Sequence, residues 1–175
     1  MACLKDCNKF QIKNNYYTRK EYWGKIFHLI PKDYVVWEMC LLNSKSNSLN
    51  YLKELGVNVV GDTKWNCLEL SPKKFDMIIT NPPFETNIKK QILKRLVEID
   101  KPFIIILNVM NIYSKYIKEI FGDNIKHLQV VYTTGKIKFE VYDEDKKEMA
   151  KCKDPAFYSC YLCYKLNIPN EGLYL

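Results

Sequence analysis

Phe75-Asp76-Met77-Ile78-Ile79-Thr80-Asn81-Pro82-Pro83-Phe84 is the stretch on which the reading of the fold turns. Its first six residues are a short apolar, β-branched run, the pattern of a strand buried on both faces. The next four stop that strand. Two consecutive prolines each hold φ at about −65° and push the residue before them toward extended backbone, so the chain leaves the strand end in a stiff loop.

Outward from this stretch, the same alternation recurs. Residues 34–38 and 57–60 read as two further buried strands, the first ending in Val36-Trp37-Glu38 and the second followed by Gly61-Asp62. Between them, polar residues 43–47 lead into a helix around Leu49, Leu52 and Leu55, closed by Gly56. Upstream, Thr18-Arg19-Lys20-Glu21 has the spacing of a capping box, and Tyr22, Trp23, Ile26, Phe27 and Ile30 follow at helical intervals until Pro31. Downstream, residues 88–99 predict a helix with Ile92, Leu93, Leu96 and Ile99 inward and Lys89, Lys90, Lys94 and Arg95 outward. A buried strand at 103–107, a helix at 113–121 and strands at 128–133 and 157–166 complete the set. Residues 140–154 mix both charge signs without apolar periodicity and read as a solvated loop. Strands alternating with helices imply an α/β class, a Rossmann-like, mostly parallel sheet with helices on both faces.

Composition sets the frame for this fold. The 175 residues, 47% hydrophobic and 14% aromatic, suit a single domain over 1–175 with a continuous core. No apolar run approaches the roughly 18 residues of a membrane span, and the first ten residues lack the layout of a signal peptide, so no membrane association and a cytoplasmic, reducing location are expected. The seven cysteines are odd in number and scattered. They read as small buried hydrophobes rather than a disulfide framework or a metal site, because Cys160 and Cys163 face opposite sides of one strand and no set completes Cys3 and Cys7. The net charge of +7 is almost wholly lysine, with arginine only at 19 and 95. Such a field favours a polyanionic partner, DNA or RNA.

Open α/β sheets bind ligands beyond the carboxyl ends of their strands, and Asn81 to Phe84 lie at such an end. The side-chain oxygen of Asn81 and the carbonyl of Pro82 could each accept one N–H of a planar exocyclic amine, whose delocalised lone pair is otherwise a poor nucleophile. Phe84 could stack on the same planar group. The two histidines, His28 and His127, read as structural or exposed.

In these residues the chain resembles the amino-methyltransferases of the class I S-adenosylmethionine-dependent superfamily, and more narrowly the adenine-N6 methyltransferases. Their fourth motif is Asp, Asn or Ser, then Pro-Pro, then an aromatic residue, which Asn81-Pro82-Pro83-Phe84 match in full. The resemblance implies S-adenosylmethionine as cofactor, methyl transfer to the N6 amine of adenine in DNA or RNA, and a catalytic role for Asn81, Pro82, Pro83 and Phe84. It places Tyr17 and Thr18 in the cofactor-contacting entry segment and Glu38 at the end of the first motif strand. Asp62 falls at the ribose-binding acidic position, and Asn66, within Trp65-Asn66-Cys67-Leu68, beside the cofactor adenine. The tetrapeptide geometry also suits a glutamine side-chain amide, which makes a protein glutamine N-methyltransferase an alternative. The first motif departs from the pattern: where the family carries a Gly-x-Gly turn, Leu42 and Ser44 stand nearest. That departure implies a weakened cofactor site, or a catalytically silent methyltransferase-like subunit that binds nucleic acid or a partner protein.

Overall fold

The computed structural model describes residues 16–41, 45–64, 66–143, 145–151 and 155–169. The expected turn residues Leu42, Asn43 and Ser44, together with Trp65, Cys3, Cys7 and Cys152, lie outside the described residues. A six-stranded sheet is built from β2 (Val36–Glu38), β3 (Val59–Val60), β4 (Met77–Thr80), β5 (Phe103–Asn108), β6 (Leu128–Val131) and β9 (Ser159–Tyr164), in the spatial order β3-β2-β4-β5-β9-β6. β3, β2, β4 and β5 pair in parallel, and β9 runs antiparallel to both β5 and β6.

Period-2 alternation divides the sheet between two helical layers. Val36, Met77, Ile79, Ile104, Ile106, Tyr161 and Cys163 face Tyr22, Trp23 and Ile26 of helix α1 (Lys20–Ile26) and Leu52 of α2 (Ser48–Glu54). Trp37, Ile78, Phe103, Ile105, Leu107, Leu162 and Tyr164 face Ile92, Leu93 and Leu96 of α3 (Thr86–Ile99) and Ile117 and Phe121 of α4 (Lys115–Phe121). Helices therefore cover both faces, as the alternating pattern requires. Among the described residues no helix is long and apolar enough to cross a membrane.

Three local readings are corrected. Thr18 is not the N-cap of α1: it sits in a two-residue strand β1 (Tyr17–Thr18), and Arg19 occupies the cap position without a side-chain bond. The segment read as a solvated loop instead contains β7 (Phe139–Asp143) and β8 (Glu148–Lys151), which form a three-stranded antiparallel sheet with β1. β7 is only half-buried after Phe139 and β8 opens on an exposed Glu148, so charged residues interrupt the apolar alternation along both strands. Lys89 is buried, at 4% exposure, where the helical pattern predicts it outward. Its Nζ donates to Oδ1 of Asn111 at 3.0 Å, and burial pushes its pKa down.

The close approach of β2 and β3 at their carboxyl ends depends on Gly61. A Cβ there would lie 2.5 Å from Leu41 Cδ1 and 2.9 Å from the backbone oxygen of Glu38. Gly61→Ala is expected to lower stability by ~1–3 kcal/mol, the scale of overpacking, as read by urea denaturation. Adding Leu41→Ala should recover part of that loss and leave the share owed to the Glu38 carbonyl. A fully stable Gly61→Ala protein would show that the two strand ends are free to part.

Candidate active site

Parallel pairing brings the site together. β2 and β4 are in register with Glu38 opposite Ile79, so both strands end at the same edge and Thr80 emerges beside Glu38. The Thr80 hydroxyl donates to Oε1 of Glu38 at 2.6 Å and accepts the amide of Cys40 at 2.9 Å. Glu38 itself is only 2% exposed. Its Oε1 also accepts the Cys40 amide at 3.3 Å, while Oε2 is buried without a partner. Burial raises its pKa to about 7, against the opposing pull of the Thr80 hydroxyl.

Asn81 follows Thr80 directly. Its Nδ2 donates to the backbone carbonyl of Tyr16 at 2.9 Å, which fixes the amide plane and leaves Oδ1 buried with no hydrogen bond. Pro82 and Pro83 are buried, and Phe84 is half-buried in a box of aromatic rings. Its ring centroid lies 5.5 Å from Tyr16, 5.6 Å from Phe139 and 5.1 Å from Phe157. Two of those walls come from the small sheet and its entry: Tyr16 precedes β1, and Phe139 opens β7, where it pairs with Thr18. Thr18 is buried with its own hydroxyl unpartnered, as is Ser159 at the matching end of β9. Buried polar atoms without partners are rare in folded chains. Here Glu38, Asn81, Thr18 and Ser159 place four of them on the segments that meet at the carboxyl edge of the sheet.

Asp62 leaves β3 one strand further along, half-buried, and its Oδ1 accepts the amide of Lys64 at 2.9 Å. Asn66 turns its Oδ1 onto the amide of Leu68 at 3.2 Å. These two residues are thus held in turns of their own, beside the Glu38 end of the site rather than the Asn81 end. Cys67, next to Asn66, packs with Cys40 in one buried cluster and so holds the Asn66 turn against the residues that follow β2.

Sequence reasoning did not single out Tyr16, Thr80, Phe139 or Phe157. Thr80 could have been found as a hydroxyl at the last position of an otherwise apolar strand. Tyr16 acts through its backbone carbonyl and leaves no trace in residue type. Two clefts, of about 610 Å³ beside Phe27, His28 and Tyr34 and about 440 Å³ beside Lys126, His127 and Lys165, open at the opposite edge of the sheet. Their linings contain none of the unpartnered polar atoms.

The sequence model of the family described as adenine-specific methyltransferase EcoRI matches residues 24–157. Among solved structures, the fold is similar to a class I S-adenosylmethionine-dependent methyltransferase of Listeria monocytogenes, at 12% identity and a TM-score of 0.56, covering 93% of this chain and 66% of that one. An S-adenosylmethionine-dependent O-methyltransferase of Thermotoga maritima aligns at 10% identity and a TM-score of 0.34, over 83% of this chain and 64% of that one. The chain spans about two thirds of the length of either. No curated protein matches the chain.

The raised pKa of Glu38 has a thermodynamic consequence. Between the ordinary carboxyl value of 4.5 and the folded value of about 7, the unfolded chain gives up a proton that the folded chain retains. Stability contributed at this position is therefore full below pH 4.5 and falls as pH rises toward 7. Glu38→Gln, which keeps an acceptor for Thr80 and cannot ionise, should gain on the wild type over that window by up to ~3 kcal/mol and level off above it. Urea titrations of both proteins from pH 4 to 8 check this; parallel pH profiles would place the charge of Glu38 in water.

Proposed function

The chain belongs to the adenine-specific methyltransferase EcoRI family, and from that premise we propose that it is an S-adenosylmethionine-dependent methyltransferase acting on the N6 amine of adenine in DNA or RNA. The observation that carries the reading is the buried, unpartnered Oδ1 of Asn81. A buried acceptor without a donor costs about 1–3 kcal/mol, and the bond from Nδ2 to Tyr16 prevents the amide from turning away to relieve it. The N–H of a planar exocyclic amine is a donor that would satisfy it.

The residues at the carboxyl edge suit the cofactor. Asp62 offers a half-buried carboxylate that would take ribose hydroxyls, and Asn66, Tyr17 and Thr18 are the other residues that would hold the cofactor. Glu38 lies buried at the same edge with its Oε2 unpartnered, where a neighbouring cation would return it to the carboxylate form. When bound, S-adenosylmethionine supplies an electrophilic methyl group on its sulfonium.

The chain's own part in the chemistry is orientation. Asn81 Oδ1 accepts one N–H of the adenine amine and the Pro82 carbonyl the other, which draws the nitrogen from planar toward tetrahedral and frees its lone pair. Phe84, with one side against Tyr16, Phe139 and Phe157, keeps an exposed portion for the flat face of the base. The proton is lost after methyl transfer, so no strongly basic side chain is needed.

One observation favours a second reading, a catalytically silent subunit that binds nucleic acid or a partner protein. Leu41 is 5% exposed and leans over Gly61 at the carboxyl ends of β2 and β3, the space toward which the cofactor would approach. Calorimetry with S-adenosylmethionine separates the two: saturable heat supports the enzyme, and absence of heat at any practical concentration supports the silent subunit.

For the enzyme, Asn81→Ala should lower methyl transfer to an adenine-containing oligonucleotide by about 10²-fold or more, the scale of one lost orienting hydrogen bond, while the protein stays folded and still binds the cofactor. Asn81→Asp should fail as well, although the resembled motif admits Asp. In this chain a carboxylate would set one oxygen against the Tyr16 carbonyl that Nδ2 now satisfies. Near-native turnover of Asn81→Ala would make the loop structural.

A further inference from the structure

Cys40 and Cys67 are both free and both buried, and they lie at the carboxyl edge of the sheet. Cys40 stands two residues past the end of β2, and Cys67 sits within the turn that Asn66 Oδ1 closes on the amide of Leu68 at 3.2 Å. Both pack into the layer that holds Trp37, Phe75 and Ile78. Their sulfurs face one another: a hydrogen bond between the two thiols is the largest influence on the acidity of each, raising Cys40 and lowering Cys67. The positive charge of Arg95 on α3 adds to the lowering of Cys67, against its burial and the nearby Glu38 carboxyl. Cys67 is thus the readier thiolate, with a second thiol held beside it. Cys160 and Cys163 make no such pair, since they fall on opposite faces of β9 and burial pushes each thiol up to about 12.

The backbone of Cys40 also belongs to the candidate site. Its amide donates to the Thr80 hydroxyl at 2.9 Å and to Oε1 of Glu38 at 3.3 Å. An S–S bond is far shorter than the contact between two thiols, so forming one draws residue 40 and the Asn66 turn toward each other. That movement pulls on both bonds of the Cys40 amide and shifts Asn66, the neighbour of Cys67.

We propose that Cys40 and Cys67 form an oxidation-sensitive site that closes reversibly into a disulfide, and that closing it weakens S-adenosylmethionine binding at the same edge. The second half rests on the methyltransferase reading and the first does not. With a peroxide as oxidant, the Cys67 thiolate attacks the O–O bond, which breaks to give a sulfenic acid on Cys67 and hydroxide. The hydroxide takes up the proton that the Cys67 thiol had lost and leaves as water. The Cys40 thiol then attacks the Cys67 sulfur, the S–S bond forms, and the sulfenic oxygen departs with the Cys40 proton as a second water. Two thiols lose two electrons and two protons, and one hydrogen peroxide becomes two waters. A dithiol reductant restores both thiols by exchange and leaves as its own disulfide.

The test uses the full chain, reduced or treated with hydrogen peroxide, then digested with its free thiols blocked and mapped by mass spectrometry without reduction. A linked peptide pair carrying Cys40 and Cys67 is expected after treatment and lost on adding a dithiol reductant. Calorimetry should show S-adenosylmethionine binding about tenfold weaker in the oxidised wild type, the scale of one lost hydrogen bond, with recovery on reduction. Cys67→Ser, which keeps the backbone and removes one sulfur, should bind the cofactor equally with and without peroxide. The reduced and oxidised forms of the wild type carry the comparison even where that variant folds poorly. Absence of the linked pair at a peroxide dose that oxidises the other cysteines overturns the proposal, as does unchanged cofactor affinity once the pair has closed. A loss of binding in peroxide-treated Cys67→Ser equal to that of the wild type would assign the sensitivity to another group and overturn it too. No heat from the reduced wild type would instead fault the methyltransferase reading, and with it the coupling, while the linked pair still decides the thiol site.

Discussion

The Thr80 hydroxyl holds the site in place by a single pair of hydrogen bonds, one given to Glu38 and one taken from Cys40. Parallel pairing already sets β2 and β4 side by side, but backbone pairing ends with the strands. Beyond it, the chain after β2 continues into Met39-Cys40-Leu41 and the chain after β4 into Asn81-Pro82-Pro83. Thr80 joins these two exits at their point of divergence, in a fully buried setting where an unmade hydrogen bond is costly. The position of Asn81 relative to Glu38 follows from that join.

The same join explains why a buried acid is tolerated. Glu38 has one oxygen satisfied twice, by Thr80 and Cys40, and the other buried short of a full hydrogen bond. A carboxyl group placed so would ordinarily be replaced by a neutral residue, since an apolar isostere removes the desolvation penalty. The core beneath it is continuous on both faces of the sheet and supplies the stability that such a group withdraws. Functional sites commonly carry imbalance of this kind, held in place by surroundings that cannot relax around it.

The sheet was readable from sequence because its central strands are buried on both faces, and apolar runs such as 75–80 and 103–107 have few alternative uses. The small sheet was not, because β1 spans two residues and β7 and β8 carry charges of both signs along their length. Their pairing is decided by what they lie against: Arg19 Nε donates to the Phe139 carbonyl and the Tyr51 hydroxyl to Glu140. Lys89 illustrates the same limit within a helix. Periodicity puts it on a polar face, but that face meets the Val109–Asn111 turn, where Asn111 receives both its ammonium and the Tyr116 hydroxyl. Tertiary neighbours absent from the local sequence made the difference.

The candidate site divides along the same line. Residue type carries information when the side chain does the work, and Asn81 and Phe84 could be picked out because an amide oxygen and a flat ring suit a planar amine. It carries none when the backbone does the work. The Tyr16 carbonyl decides which end of the Asn81 amide faces inward, and any residue at position 16 has a carbonyl. The Tyr16 ring is nonetheless part of the arrangement, since it contacts Phe84, Phe139 and Phe157 and so fixes the backbone that bears that carbonyl. The small sheet, unseen in the sequence, thereby becomes the element that orients the most recognisable residue in it: β7 supplies Phe139, Phe139 packs on Tyr16, and Tyr16 aims Asn81.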